Sequence, residues 1–325
     1  MVVPITEVAK GILRIGPLET GHPGDATSPY LLLGSKTAMV VEPGEDPQLP
    51  GVIDAIKACN VRLDGVGYVW ASHIHFHHVQ VLPKLLKQLP KAKFLVHPRG
   101  APHLIEPTRL IQSTIEVWGD KCYGPFEAIP RDKVMPVEDN QTVDIGGKVL
   151  QIIHAPGHAP HHMGLFDQQT KALWFGDTMV PGIPGNPRGH HDIRPPLFDI
   201  EKFIETLHRY QALKPSVILT FSAAGVSFSP EETLRYAEED IRAIERICLE
   251  GMTQKQSYKE ISKKVDAYED GVGVRPTYPS RRSRSVEFSS AGLFGMINYL
   301  KRKHPELAMP SDATKELWRE RGDRE

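Results

Sequence analysis

The six residues His73-Ile74-His75-Phe76-His77-His78 decide how the rest of the chain is read. Immediately upstream, Val66 to Trp70 is a short apolar run that reads as a buried strand, and downstream Val79 to Leu89 reads as an amphipathic helix. Histidine neither packs a core well nor favours helix at such density, so four imidazoles in the connecting turn call for a chemical reason. Alternate residues leaving a strand aim the same way, so His73 and His75 can converge on one point while His77 and His78 turn toward a neighbouring position. Neutral imidazole is a preferred ligand of transition metals, which makes the turn a candidate metal site.

Two segments further along supply partners of the same kind. Ala155-Pro156-Gly157-His158-Ala159-Pro160-His161-His162 follows the strand-like run Val149 to Ile153, and its Pro and Gly residues mark a loop at the strand's end. Leu173-Trp174-Phe175-Gly176-Asp177-Thr178 sets a carboxylate directly after another apolar strand, Leu173 to Phe175. Ligands delivered from the ends of several strands are how a rigid sheet builds a site on its rim.

Around these segments strands and helices alternate. Further strands are predicted at Gly11 to Ile15, Tyr30 to Leu33, Ala38 to Val41, Phe94 to Val96 and Val217 to Thr220. Helices are predicted at Gln48 to Ala58 and at Ile200 to Leu213, the latter capped by Asp199 with Glu201 in its first turn. After Ser229 the strands stop. Pro230 stands at a helix start, and Leu234, Ala237, Ile241, Ile244 and Cys248 repeat at three-to-four spacing. A polar segment with Gly271, Gly273, Pro276 and Pro279 follows, then a helix from Val286 to Lys303. The expected organisation is a layered domain over residues 1–229 and a helical C-terminal appendage over 230–325.

Composition narrows the function classes. The 325 residues carry 39 Lys plus Arg against 40 Asp plus Glu, and a net charge of −1 removes the broad electrostatic drive toward nucleic acid or an anionic membrane. No run of about 18 apolar residues is present to span a bilayer. Glu7, Lys10 and Arg14 interrupt the start where a signal peptide needs its apolar segment, so a cytoplasmic location is expected. Cys59, Cys122 and Cys248 are odd in number and widely spaced, which argues against a disulfide framework. A small-molecule substrate is the expected partner, with no nucleic acid and no membrane.

On these motifs the chain, from about Gly11 to Gly225, resembles the metallo-β-lactamase fold superfamily, nearest to its hydrolase branch with glyoxalase II-like and lactonase-like members. The resemblance implies an α+β fold, a four-layer αββα sandwich with a metal site at one edge. It implies that His73, His75 and His158 bind a first metal, that His78 binds a second, and that Asp177 bridges both. Glu42, in Val41-Glu42-Pro43-Gly44, falls where the family commonly has an aspartate that supports the histidine loop.

Two positions depart from the family pattern. An aspartate normally precedes the last histidine of the first motif, and here that residue is His77. The family's last ligand is a histidine on a loop that here reads Leu219-Thr220-Phe221-Ser222-Ala223-Ala224-Gly225, so Phe221 or Ser222 stands in its place. A neutral imidazole in place of a carboxylate leaves a second cation less compensated, and that cation has also lost a donor. A strong first site and a weak, altered or empty second site are expected. His77 serves either as a replacement ligand or as a general base, where its unperturbed pKa of ~6.5 suits it.

The metal set is therefore His73, His75, His77, His78, His158 and Asp177, with Asp177 and His77 as the catalytic groups. One or two divalent transition-metal ions are expected, zinc first, with iron, manganese, cobalt or nickel as alternatives. Such a metal lowers the pKa of bound water to about 7 and polarises a carbonyl or phosphoryl oxygen. The resemblance thus implies a hydrolase of a small ester, lactone, thioester or phosphoester that uses a metal-bound water. The alternative is a degenerate or redox-active iron member with no hydrolase activity. His161 and His162 are further donor candidates, and His190, His191, Arg188 and Arg194 are candidates for an acidic substrate group. Trp118 to Phe126 and Pro181 to Pro196 are candidate pocket walls, and Arg281, Arg282 and Arg284 a candidate anion site. The C-terminal helices are expected either to cap the site or to form a homodimer contact.

Overall fold

The computed structural model describes residues 3–22, 26–118, 124–179, 188–189, 191, 193, 197–222, 225–274 and 285–313. They form two compact units: Met1–Ala155 with His161–Gly176 and Pro215–Val226, and Pro156–Pro160 with Asp177–Lys214 and Ser227–Glu325. The strands are β1 (Ile5–Ala9), β2 (Ile12–Ile15), β3 (Leu18–Glu19), β4 (Ala26–Thr27), β5 (Tyr30–Leu33), β6 (Ala38–Val41), β7 (Val66–Trp70), β8 (Lys93–Val96), β9 (Val134–Pro136), β10 (Thr142–Asp144), β11 (Val149–His154), β12 (Met163–Asp167), β13 (Ala172–Trp174), β14 (Val217–Leu219) and β15 (Val226–Ser227). The helices are α1 (Leu49–Ala58), α2 (Phe76–Val79), α3 (Leu82–Gln88), α4 (Ala101–Ile105), α5 (Thr108–Trp118), α6 (Ile200–Ala212), α7 (Pro230–Thr253), α8 (Tyr258–Val272) and α9 (Ser285–Lys303).

The first unit is built on two sheets, in the orders β1-β2-β5-β6-β7-β8-β9 and β10-β11-β12-β13-β14-β15, with β3 and β4 forming a small hairpin. Strands β6 to β9 run parallel, and β6, β7 and β8 read as apolar runs because strands joined by helical crossovers are covered on both faces, whereas β9 is not read as a strand from the sequence. Period-two alternation then sends neighbouring residues into different cores. Leu31, Val40, Val69 and Phe94 pack with Val52, Ile56, Leu82 and Leu85 of α1 and α3. Leu32, Met39, Trp70 and Leu95 pack with Leu150, Ile152, Leu165, Trp174 and Leu219 of the second sheet. Helices thus cover one face of the first sheet and the second sheet covers the other. A slip of one residue in any of these strands would exchange the two cores, so the register is tightly specified.

In the second unit, α6 buries Ile200, Phe203, Leu207 and Tyr210 on one face, and the predicted cap is in place: the Asp199 carboxylate accepts from the Lys202 N–H. The predicted stripe Leu234, Ala237, Ile241, Ile244 and Cys248 is the buried face of α7. Two expectations differ. The helix read as Val79 to Leu89 is two pieces, α2 and α3, with Pro83 in the first turn of the second. The segment read as polar contains α8, which opens on a Ser257–Glu260 capping box and ends at Gly273 in the left-handed conformation. Among the described residues no helix is long and apolar enough to cross a membrane.

Candidate metal centre

Strand β7 ends at Trp70, whose carbonyl accepts the N–H of Glu42 at the end of neighbouring β6. Glu42 then adopts a left-handed backbone with φ of 54°, a conformation that costs a non-glycine residue about 1–2 kcal/mol. The turn aims the carboxylate, only 1% exposed, at the histidine segment. Its Oε1 accepts the Ser72 N–H at 3.1 Å and its Oε2 lies 2.6 Å from His78 Nδ1. The backbones are tied as well, since the Gly44 N–H donates to the His78 carbonyl and the Val81 N–H to the Gly44 carbonyl. Glu42 therefore supports the histidine turn as the sequence suggests. A carboxylate on Nδ1 fixes the tautomer that presents Nε2 as the ligand atom.

The other imidazoles gather around this corner. His73 Nδ1 lies 3.0 Å from the Ser72 hydroxyl, and its Nε2 lies 2.7 Å from His75 Nδ1. The His73 and His78 rings are 4.3 Å apart and those of His77 and His78 are 4.2 Å apart. One ligand atom each of His73, His77 and His78 falls within 4.8 Å of the others, which is the spacing a shared ion needs. Imidazole nitrogens, with His73 and His78 buried and His78 oriented by a carboxylate, fit a divalent transition metal. His161 stacks 6.2 Å from His73, and His162 is buried with its Nδ1–H donating to the Ala155 carbonyl; neither belongs to the converging donor sets.

The place of the family's last histidine is occupied without a ligand. The Phe221 ring is 4.8 Å from that of His78 and 6.5 Å from that of His77, whereas the Ser222 hydroxyl turns to Thr220 at 3.2 Å. At 4% exposure Phe221 presents a buried apolar face to the second half of the cluster. It offers no donor.

Within the second unit, His158 Nε2 and Asp177 Oδ2 are 4.0 Å apart. Asp177 follows Gly176, whose own place is dictated by crowding. At φ of +57° a Cβ there would lie 2.3 Å from His162 Nε2 and 2.5 Å from Ser72 Cβ, so only glycine can precede the carboxylate. Arg188 is engaged by Asp240 and Glu239 and lies over the Tyr236 ring, and His191 packs edge-on to Phe203. His190, Arg194, Arg281, Arg282, Arg284 and Cys122 lie outside the described residues, as do most of the segments 118–126 and 181–196.

Residues 22–222 match the family described as the metallo-beta-lactamase superfamily. A metallo-beta-lactamase fold-containing protein of Sulfurisphaera tokodaii is 31% identical over 215 residues, covering 62% of this chain and 74% of that protein. An atrochrysone carboxyl ACP thioesterase of Cryptosporiopsis sp. is 22% identical, over 54% of this chain and 47% of its own length. A hydroxyacylglutathione hydrolase of Aeromonas salmonicida is 24% identical, over 50% and 52%. The chain thus spans about half the length of these two named enzymes. Among solved structures, a metallo-beta-lactamase family protein of Thermus thermophilus superposes with a TM-score of 0.63 over 90% of this chain and 94% of its own, at 17% identity, which is a likeness of fold.

Proposed function

Because the chain belongs to the metallo-β-lactamase superfamily, we propose that it is a metal-dependent hydrolase of a small ester, lactone, thioester or phosphoester. An acyl thioester comes first, since a relative is named a thioesterase. The observation that carries this reading is the buried bond from Glu42 to His78 inside a cluster whose ligand atoms converge. Nothing in core packing calls for a carboxylate strained into position against a histidine ring.

In this reading His73, His75 and His158 would hold a first metal, His77 and His78 would serve a second, and Asp177 would supply a carboxylate to them. When bound, a divalent metal would supply a coordinated water with its pKa lowered to about 7 and polarisation of a carbonyl or phosphoryl oxygen. Asp177, with its side chain 15% exposed, accepts a hydrogen bond from the attacking water at a carboxylate oxygen and orients it toward the substrate. Phe221 brings no donor to the second position, and His77, whose ring is 6.5 Å away, is the imidazole that would compensate for the missing ligand.

Asp177→Asn should lower hydrolysis of a p-nitrophenyl ester and of an acyl thioester by about 100-fold or more while circular dichroism stays unchanged. Wild-type turnover in that variant would refute the role given to Asp177. Phe221 also favours a second reading, a member that binds metal but does not hydrolyse. Elemental analysis, absorption spectra and the same two substrates offered to the wild-type protein separate the two.

A further inference from the structure

Both donors drawn from the second unit sit in short connecting segments, His158 between β11 and β12 and Asp177 in the tight turn Gly176–Thr178. Both segments meet one helix. The Thr206 hydroxyl of α6 donates to the Pro156 carbonyl at 2.7 Å, and the Asp199 N–H at the head of α6 donates to the Gly157 carbonyl at 2.9 Å. These are the two residues immediately before His158. Gly157 has φ of +140°, and a Cβ there would lie 2.5 Å from Phe203 Cα, so the loop rests on the helix backbone with no room for a side chain. One turn beyond Thr206, the buried Tyr210 hydroxyl meets the Thr178 side chain, next to Asp177. Burial pushes the Tyr210 pKa up, so the phenol keeps its proton.

We infer that α6 is a base plate for the metal-binding pair: Thr206 and Tyr210, at i and i+4 on one face, are positioning residues that set His158 and Asp177 at their 4.0 Å separation. This rests on the proposed function, in which those two side chains are ligands. The polar atoms carry the role. A helical threonine ordinarily turns its hydroxyl back to the preceding turn, whereas Thr206 spends it on a loop 50 residues upstream. Valine would fill the same volume at 206 and phenylalanine at 210, so packing alone requires neither hydroxyl.

The variants Thr206→Val and Tyr210→Phe isolate those atoms, with Thr206→Ser as the rescue and His158→Ala as the control. Zinc affinity is read by competition against a chelating dye, and melting temperature is read on chelator-treated protein. Thr206→Val and Tyr210→Phe should each weaken zinc binding by about 10-fold, change the visible spectrum of the cobalt-substituted protein, and leave the metal-free melting temperature near wild type. Thr206→Ser should restore affinity. Wild-type affinity in both variants, alongside weakened binding in His158→Ala, overturns the positioning role alone. Wild-type affinity in His158→Ala overturns the ligand assignment beneath it. A large fall in metal-free melting temperature without loss of affinity assigns the hydroxyls to folding and overturns the inference.

Discussion

The first unit holds two groups of histidines at strand ends, and they do different things. At the end of β7, His78 gives its Nδ1 to a buried carboxylate and stands in a set of nitrogens that converge. Between the ends of β8 and β11, His97 and His154 lie as close, ring to ring at 4.1 Å, but each ring is tied to backbone. His97 Nδ1 accepts the Arg99 N–H at 3.0 Å, and His154 Nε2 lies 3.0 Å from the Val137 carbonyl. Burial, aided by the charges of His154 and Arg99, lowers the His97 pKa to about 4, against a weaker opposing pull from Asp139. Proximity of imidazoles is therefore not what distinguishes a metal site. What sets the first group apart is a buried carboxylate on one ring together with ligand atoms that converge.

Glu42 is where this contrast breaks most easily. Glu42→Gln keeps the shape and the left-handed turn but removes the charge that orients His78, and zinc affinity should fall by about 10- to 100-fold, measured by chelator competition. Unchanged affinity would mean that the Glu42–His78 corner is no more a metal site than the His97–His154 stack.

A smaller effect is expected on the second position. Phe221→His places an imidazole where an apolar ring now faces His78, and His77→Asp returns a carboxylate beside it. Together they should tighten binding of a second zinc equivalent by about 10-fold, seen as a rise in metal content per chain. If occupancy does not rise, something other than donor number limits the second position.

The parts of the molecule that showed in the sequence are those whose chemistry is local. Four histidines in a strand-to-helix turn, a carboxylate after an apolar strand and Asp199 at a helix start each carry their meaning within a few residues. The parts that did not show depend on distant partners. Strand β12 is buried throughout although it contains Gly164 and Asp167, because Asp167 pairs with Lys148 at 2.9 Å across the sheet. Helix α8 carries Tyr258, Ile261 and Val265 as its buried stripe, but the glycines at its end read as loop. Thr206 and Tyr210 look like ordinary interruptions of an amphipathic face until the positions of Pro156 and Thr178 are known.

On metal binding, the smallest effect is expected from His97→Asn, which keeps an acceptor for the Arg99 N–H: zinc affinity should not change. Its consequence lies in acid stability. The folded His97 titrates near 4, below the 6.5 of an unfolded histidine, so between those values the unfolded chain binds the extra proton. Stability is therefore unaffected above pH 6.5 and declines as pH falls from there toward 4. A pKa unit corresponds to roughly 1.4 kcal/mol, and partial access of solvent to the ring brings the expected loss between pH 7 and pH 5 to about 1 kcal/mol. Urea midpoints of wild type and His97→Asn, measured across that range after removal of metal, should converge as the pH falls if asparagine costs some packing. Parallel curves would show that the His97–His154 stack does not titrate, and the two histidine groups would then differ in geometry but not in protonation.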